Sequence, residues 1–297
     1  MLETWRWFGP DDPVTCSHIR QAGADGIVTA LHAMPPGEVW QPDDITARKR
    51  EIEDGGLIWS VVESIPVHPA IKLGDDRAAH YIDAWIETMR NLAAQGMEVI
   101  CYNFMPVVDW TRTDLRYPTH RGGLALRFDP LEFAVYDLFV LRRTGAEADY
   151  DDAIIERAKA HHASMDDAAI ERLESTIIAG LPGSELSHGR EGIRAAIAEY
   201  DGLTLQDLRA NLIRFLEKVA PAAEECGARV CLHPDDPPFS LFGLPRVVST
   251  AADYGALFDA VPSLANGITL CAGSLGARPD NDVLAIAAAF AERVHFT

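Results

Sequence analysis

The residues with the most chemical promise are a histidine and a cysteine in equivalent places. His233 stands where the apolar run Val230-Cys-Leu232 meets a proline-stiffened loop, Pro234-Asp-Asp-Pro-Pro238. Cys271 closes a second short apolar run, Gly267-Ile-Thr-Leu270, 38 residues after His233, and Ala-Gly-Ser-Leu-Gly276 follows it. If both runs are parallel strands of one barrel, the imidazole and the thiolate emerge side by side at the carboxyl rim. Such a pair suits a borderline transition metal. Taken singly, each residue has an ordinary reading: a small buried hydrophobe for the cysteine, a hydrogen-bonded turn residue for the histidine. The equivalent placement at two successive strand ends is what gives the metal reading weight.

Stepping along the chain shows what must position them. Short apolar runs at 4–8, 22–32, 57–64, 97–104, 228–233, 267–271 and 294–297 read as strands, with helical patterns at 14–21, 42–54, 78–96, 205–226, 250–260 and 282–292 between them. This alternation is the signature of a parallel α/β fold. The strongest helix is 205–226, where Leu208, Leu212, Phe215, Leu216 and Val219 share one stripe. Residues 111–204 break the rhythm. They are charged and mostly helical in pattern, including 151–162, 166–178 and 187–200, with Gly180-Leu-Pro-Gly183 between. We read them as a helical insertion after the fourth strand, forming a lid. His161, His162 and His188 lie within it and read as solvated helix-face residues. A closed barrel needs eight strands, and seven are counted here.

Composition excludes several classes. With 297 residues and 48% hydrophobic content the chain can bury a sizeable core. A net charge of -19 argues against an electrostatic grip on nucleic acid or an anionic membrane, so a small-molecule partner is expected. Five scattered cysteines suit a reducing compartment, and the amino end lacks a signal-peptide pattern, so a cytoplasmic location is expected.

Several longer motifs carry a resemblance. Trp5-Arg-Trp7 with Gly9-Pro-Asp-Asp-Pro13, Val28-Thr-Ala-Leu-His32, Gly37-Glu-Val-Trp40, Trp59-Ser-Val-Val-Glu-Ser64, Cys101-Tyr-Asn-Phe-Met-Pro106, Asp109-Trp-Thr-Arg-Thr-Asp114, Gly145-Ala-Glu-Ala-Asp-Tyr150, Ala179-Gly-Leu-Pro-Gly183 and His233-Pro-Asp-Asp-Pro-Pro238 make the chain resemble mannonate dehydratases of hexuronate (glucuronate) degradation. The resemblance covers essentially the whole chain. It implies a TIM (β/α)8-type barrel, xylose-isomerase-like, that dehydrates D-mannonate to 2-dehydro-3-deoxy-D-gluconate with Mn2+ or Fe2+. The matching metal ligands are His233 and Cys271. The family's other two ligands, a histidine and an aspartate, and its acid/base segment would fall beyond Thr297, so the expectation is a single barrel domain over 1–297, incomplete at its C-terminal side and weak in metal binding and turnover. Arg6, His32, Glu63, Asn103 and Asp235, at predicted strand ends, are candidates for holding the polyol, with Arg6 facing the substrate carboxylate. A homo-oligomer is expected. The alternatives are a sugar isomerase or epimerase of the same barrel class, or a non-catalytic fragment.

Overall fold

The computed structural model describes residues 1–179 and 189–297. Within it the chain divides into two compact units, one formed by Met1–Phe104, Thr204–Pro238 and Val247–Thr297, the other by Met105–Leu203 and Phe239–Arg246. The motif Ala179-Gly-Leu-Pro-Gly183, from Gly180 onward, and His188 lie outside the described residues.

The first unit is built on seven parallel strands: β1 (Thr4–Arg6), β2 (Gly26–Thr29), β3 (Ile58–Glu63), β4 (Val99–Tyr102) and, after the second unit's β5 (Asp114–Pro118) and β6 (Leu124–Arg127), β7 (Arg229–Leu232), β8 (Asn266–Thr269) and β9 (Val294–Phe296). Their spatial order is β1-β2-β3-β4-β7-β8-β9, every neighbouring pair parallel. Helices supply the crossovers, as parallel pairing requires.

The sheet is curled, and its side chains show why. Val28, Val61, Cys101 and Cys231 form one buried cluster, and Phe296 from the β9 edge packs against it. A flat sheet would keep β4 and β9 apart with β7 and β8 between them; the two touch, so the face is concave. On the other face Tyr102 meets Trp85 and Phe215 at ring distances of 5.9 and 5.5 Å. Trp85 belongs to helix Ala78–Ala93 and Phe215 to helix Leu205–Cys226. The second helix begins at a reciprocal Thr204–Asp207 capping box and stops at Gly227, whose φ of 73° suits a residue without a side chain. Each of its buried side chains Leu208, Leu212, Phe215 and Leu216 contributes about 1.5–3 kcal/mol of apolar burial.

Two expectations need correction. The sixth predicted strand does not reach Cys271: β8 ends at Thr269, and Cys271 is the N-cap of the short helix Ala272–Leu275. The stretch after Trp110, read as mostly helical, opens with the antiparallel β5–β6 ribbon. Helices then follow at Pro130–Val135, Asp152–Ser164, Asp167–Ala179 and Gly189–Ala198, with a wide-pitched turn at Tyr136–Leu141. A buried ionic knot braces this unit: the Arg143 guanidinium donates to Asp137 at 2.9 and 2.7 Å and to Asp149 at 2.5 Å, and the Tyr150 hydroxyl donates to Asp137 at 2.9 Å. On helix Asp152–Ser164, His162 is half-buried and stacks on Phe139 at 5.4 Å.

Candidate active site at the carboxyl ends of the strands

Side chains alternate along a strand, so residues two apart share a face. Val61 and Glu63, Cys101 and Asn103, and Cys231 and His233 are three such pairs. Their first members form the apolar cluster inside the curl. Their second members therefore stand one step higher on the same concave face, at the carboxyl rim. Register fixes the level: Tyr102 pairs with Leu232 and Leu232 with Ile268, and the His233 amide donates to the Tyr102 carbonyl at 2.9 Å. Below them the Thr269 hydroxyl donates to the Cys101 sulfur at 3.2 Å, sealing the floor.

His233 is buried, 3% exposed, and its Nδ1 lies 2.7 Å from the Pro234 carbonyl oxygen. With Nδ1 committed to that acceptor, Nε2 is left for the Cys271 thiol, to which the ring is hydrogen-bonded. Burial opposes a charge on His233. The hydrogen bond to Cys271 and the negative charges of Cys271 and Glu63 outweigh it and push the imidazole up to about 9. Burial likewise pushes the Cys271 thiol up, but His233 and two donors from Ser274 bring it down to about 7. Those donors, the Ser274 amide and hydroxyl, sit 3.4 and 3.3 Å from the sulfur. Each group thus favours the charged form of the other, and the thiol is half ionised near pH 7.

Glu63 ends β3, is 3% exposed, and forms an ion pair with Arg6 from the end of β1. Its other oxygen, Oε1, has no hydrogen-bond partner among the described residues. Asn103 follows β4 and is 6% exposed, and among the described residues neither atom of its carboxamide has a hydrogen-bond partner. His32 lies three residues past β2, and among the described residues neither ring nitrogen has a side-chain hydrogen-bond partner. Burial first, then the charges of Arg6 and Arg48, hold its pKa down at about 4, against weaker opposing pulls from the Phe8 backbone and Asp12. Asp235 is different. Its Oδ2 accepts from the Val248 amide at 2.7 Å and the Ser249 hydroxyl at 2.8 Å, so this oxygen staples the loop that follows β7.

The structure thus gathers Arg6, Glu63, Asn103, His233 and Cys271 at the carboxyl ends of one sheet. Sequence reasoning gave no role to Ser274 or Arg48. Ser274 was detectable, because a cap residue and the residue three further on form a standard capping pair. Arg48 carries no local signal; its place over the Trp7 ring, at 5.3 Å, comes from tertiary packing.

Two donors of these types fit a metal ligand set. The carbonyl on Nδ1 fixes the ring as outer partners of metal-bound histidines do, and a thiol lowered to about 7 gives up its proton to a metal readily. Among the described residues no group of three or more His, Cys, Asp or Glu side chains is arranged to hold a metal. His233 and Cys271 are accordingly a partial set.

A curled parallel sheet with polar residues at its carboxyl rim defines a class of α/β proteins. D-allulose 3-epimerase from Methylomonas sp. is similar in fold, with a TM-score of 0.50 at 14% identity, covering 99% of this chain and 70% of that one. Within that class, the chain belongs to the D-mannonate dehydratase (UxuA) family, whose model matches residues 1–297. It is 53% identical to mannonate dehydratase 2 of Agrobacterium fabrum and 54% identical to the mannonate dehydratase of Chromohalobacter salexigens. Both matches cover 100% of this chain, and 75% and 76% of those relatives. The crystal structure of mannonate dehydratase from Streptococcus suis serotype 2 superposes with a TM-score of 0.76 at 34% identity, covering 100% of this chain and 72% of that one.

Proposed function

We propose that this chain dehydrates D-mannonate to 2-dehydro-3-deoxy-D-gluconate, a step of hexuronate catabolism, with Mn2+ or Fe2+ as its cofactor. The observation that carries the reading is the pair of buried His233 and half-buried Cys271 standing at one rim with the Glu63–Arg6 pair, in a member of this family. The sheet supports a TIM-barrel-type architecture, with residues 111–204 as a helical insertion after β4.

Dehydration takes a weakly acidic proton from the carbon beside a carboxylate and expels hydroxide, and both events create charge. His233 and Cys271 would be two of the metal's ligands, and a divalent ion there would supply Lewis-acid stabilisation of that charge. The remaining work falls to the chain's own groups. Arg6 presents a guanidinium, oriented by Glu63, to the substrate carboxylate. Asn103 offers a buried donor and acceptor that suit a hydroxyl, and a neutral His32 offers the same pair. Asp235 shapes the loop beside His233. The general acid and base are not assigned to any residue.

We place the protein in the cytoplasm, where the five cysteines, all free thiols, are stable. No helix among the described residues is long and apolar enough to cross a membrane.

The test is proton NMR of D-mannonate incubated with the purified protein and Mn2+ or Fe2+. A new methylene signal from the 3-deoxy product is expected. Conversion to an isomer that keeps its C3 hydroxyl, with no C3 methylene, would make the protein an isomerase or epimerase and sink the proposal, as would no conversion.

A further inference from the structure

The Cys271 sulfur is held more firmly than a helix cap requires. Cys271 is the N-cap of helix Ala272–Leu275, and a cap need only accept from one backbone donor of the first turn. The Ser274 amide, 3.4 Å from the sulfur, meets that need. The Ser274 hydroxyl, at 3.3 Å, is a second donor aimed at the same atom. A serine hydroxyl in a helix commonly bonds back to a nearby backbone carbonyl instead, and a neutral thiol is a weak acceptor. Two donors on one sulfur, from a residue only 2% exposed, suit a sulfur that carries negative charge.

The segment that presents Ser274 is itself fixed. The Leu275 amide donates to the Cys271 carbonyl at 3.0 Å, and Leu275 is fully buried. The Asn281 carboxamide donates to the Leu275 carbonyl at 3.0 Å and to the Ser249 carbonyl at 2.9 Å. Because the Ser249 hydroxyl donates to Asp235, one amide ties the support of Cys271 to the loop that follows His233.

Thiolate donors select Zn2+ over Mn2+ and Fe2+, and the general order of divalent affinities runs the same way. Hydrogen bonds to a thiolate draw charge from it and so change what it binds best. A metal–sulfur bond weakens when donors compete for the sulfur lone pairs, and it weakens most where the bond is most covalent. We propose that Ser274 is a positioning residue that sets the metal preference of this site: its hydroxyl aims the Cys271 sulfur and withdraws charge from it, narrowing the advantage of Zn2+ over Mn2+ and Fe2+. This inference rests on the metal reading proposed above, in which Cys271 is a ligand.

Competition calorimetry of the full chain with Mn2+ and Zn2+ reads the preference, and the sulfur-to-metal charge-transfer band of the Co2+-loaded protein reads the sulfur. Ser274→Ala removes the hydroxyl and keeps the amide donor. It should raise the ratio of Zn2+ to Mn2+ affinity by about tenfold and move the Co2+ band to longer wavelength, because the sulfur lone pairs are then held less tightly. Ser274→Thr keeps a hydroxyl and should return both readouts toward wild type. A merely structural role would lower both affinities alike and leave their ratio in place. An unmoved or falling ratio in Ser274→Ala, with the band present in wild type, would overturn the inference and leave the dehydratase reading standing. A wild-type Co2+ spectrum without the band would take Cys271 out of the ligand set, and the inference would fall together with the metal reading beneath it.

Discussion

Asn103 is the residue whose cost to the fold is plainest. An unbonded buried amide group is destabilising by about 1–3 kcal/mol, and no described residue hydrogen-bonds this one. Asn103→Ala should therefore leave Tm unchanged or raise it, while kcat/KM falls by about tenfold or more. Parallel loss of Tm and activity would assign it to folding instead. Glu63→Gln should behave in the opposite way. It removes the carboxylate from a buried ion pair with Arg6, and breaking such a pair costs about 3–5 kcal/mol, so denaturant melts should shift along with activity. His233→Ala and Cys271→Ser should each weaken Mn2+ binding by about tenfold or more, read by calorimetric titration of chelator-stripped protein; unaltered affinity in both would remove the metal from this pair. His233 was legible in the sequence because it interrupts an apolar run where β7 ends, whereas Cys271 lies two residues past the end of β8, as the cap of a short helix that its sequence did not announce. The stapling role of Asp235 was not legible, since its partners Val248 and Ser249 lie 13 and 14 residues away across a loop of irregular backbone.

At the scale of elements, the helix Pro69–Leu73 depends on a histidine in an unusual capping role. The His68 Nδ1 accepts from the Ala70 amide at 3.1 Å, and the ring stacks on Tyr81 at 3.5 Å. Burial, then the charges of Arg77 and Lys72, lower its pKa from 6.5 to about 4. Between those values the unfolded chain binds the proton and the folded one does not. This contribution is thus fully present above pH 6.5 and is lost as pH falls toward 4. His68→Asn keeps a capping acceptor without a titrating ring, so thermal melts of the variant across that window should show a shallower decline than wild type. Equal slopes would refute the role. The edge of the sheet makes a second demand. A Cβ on Gly267 would run into the His295 ring and come within 2.5 Å of the Arg293 carbonyl oxygen. Gly267→Ala should push β9 away from β8 and cost about 1–3 kcal/mol. The seven parallel strands were readable from their apolar runs, and the long amphipathic helix from its stripe. The β5–β6 ribbon was not, because its leucines face water and its arginines follow no simple alternation through the irregular register between Asp114 and Tyr117. The contribution of residues 239–246 to the second unit was equally hidden, since the chain returns there only through tertiary contact.

For the whole molecule, charge and substrate oppose each other. The chain carries -19, and mannonate is an anion. Arg6, the rim cation proposed to meet it, is already paired with Glu63, so little positive field remains to draw the substrate in. Enzymes steered by opposite charge lose kcat/KM as salt is added, because screening removes the attraction. Here screening removes a repulsion. The Debye length shrinks from about 30 Å at 0.01 M to about 8 Å at 0.15 M salt, a change from a field spanning the molecule to one confined near each charge. Across that range kcat/KM for mannonate should therefore rise, through a falling KM at nearly constant kcat, by about twofold or more. Steady-state kinetics in KCl, with metal held saturating, measure it. A fall in kcat/KM would mean that the rim's local field is positive despite the Glu63–Arg6 pair, and would point to Arg48 beside His32 as the cation that the substrate meets first.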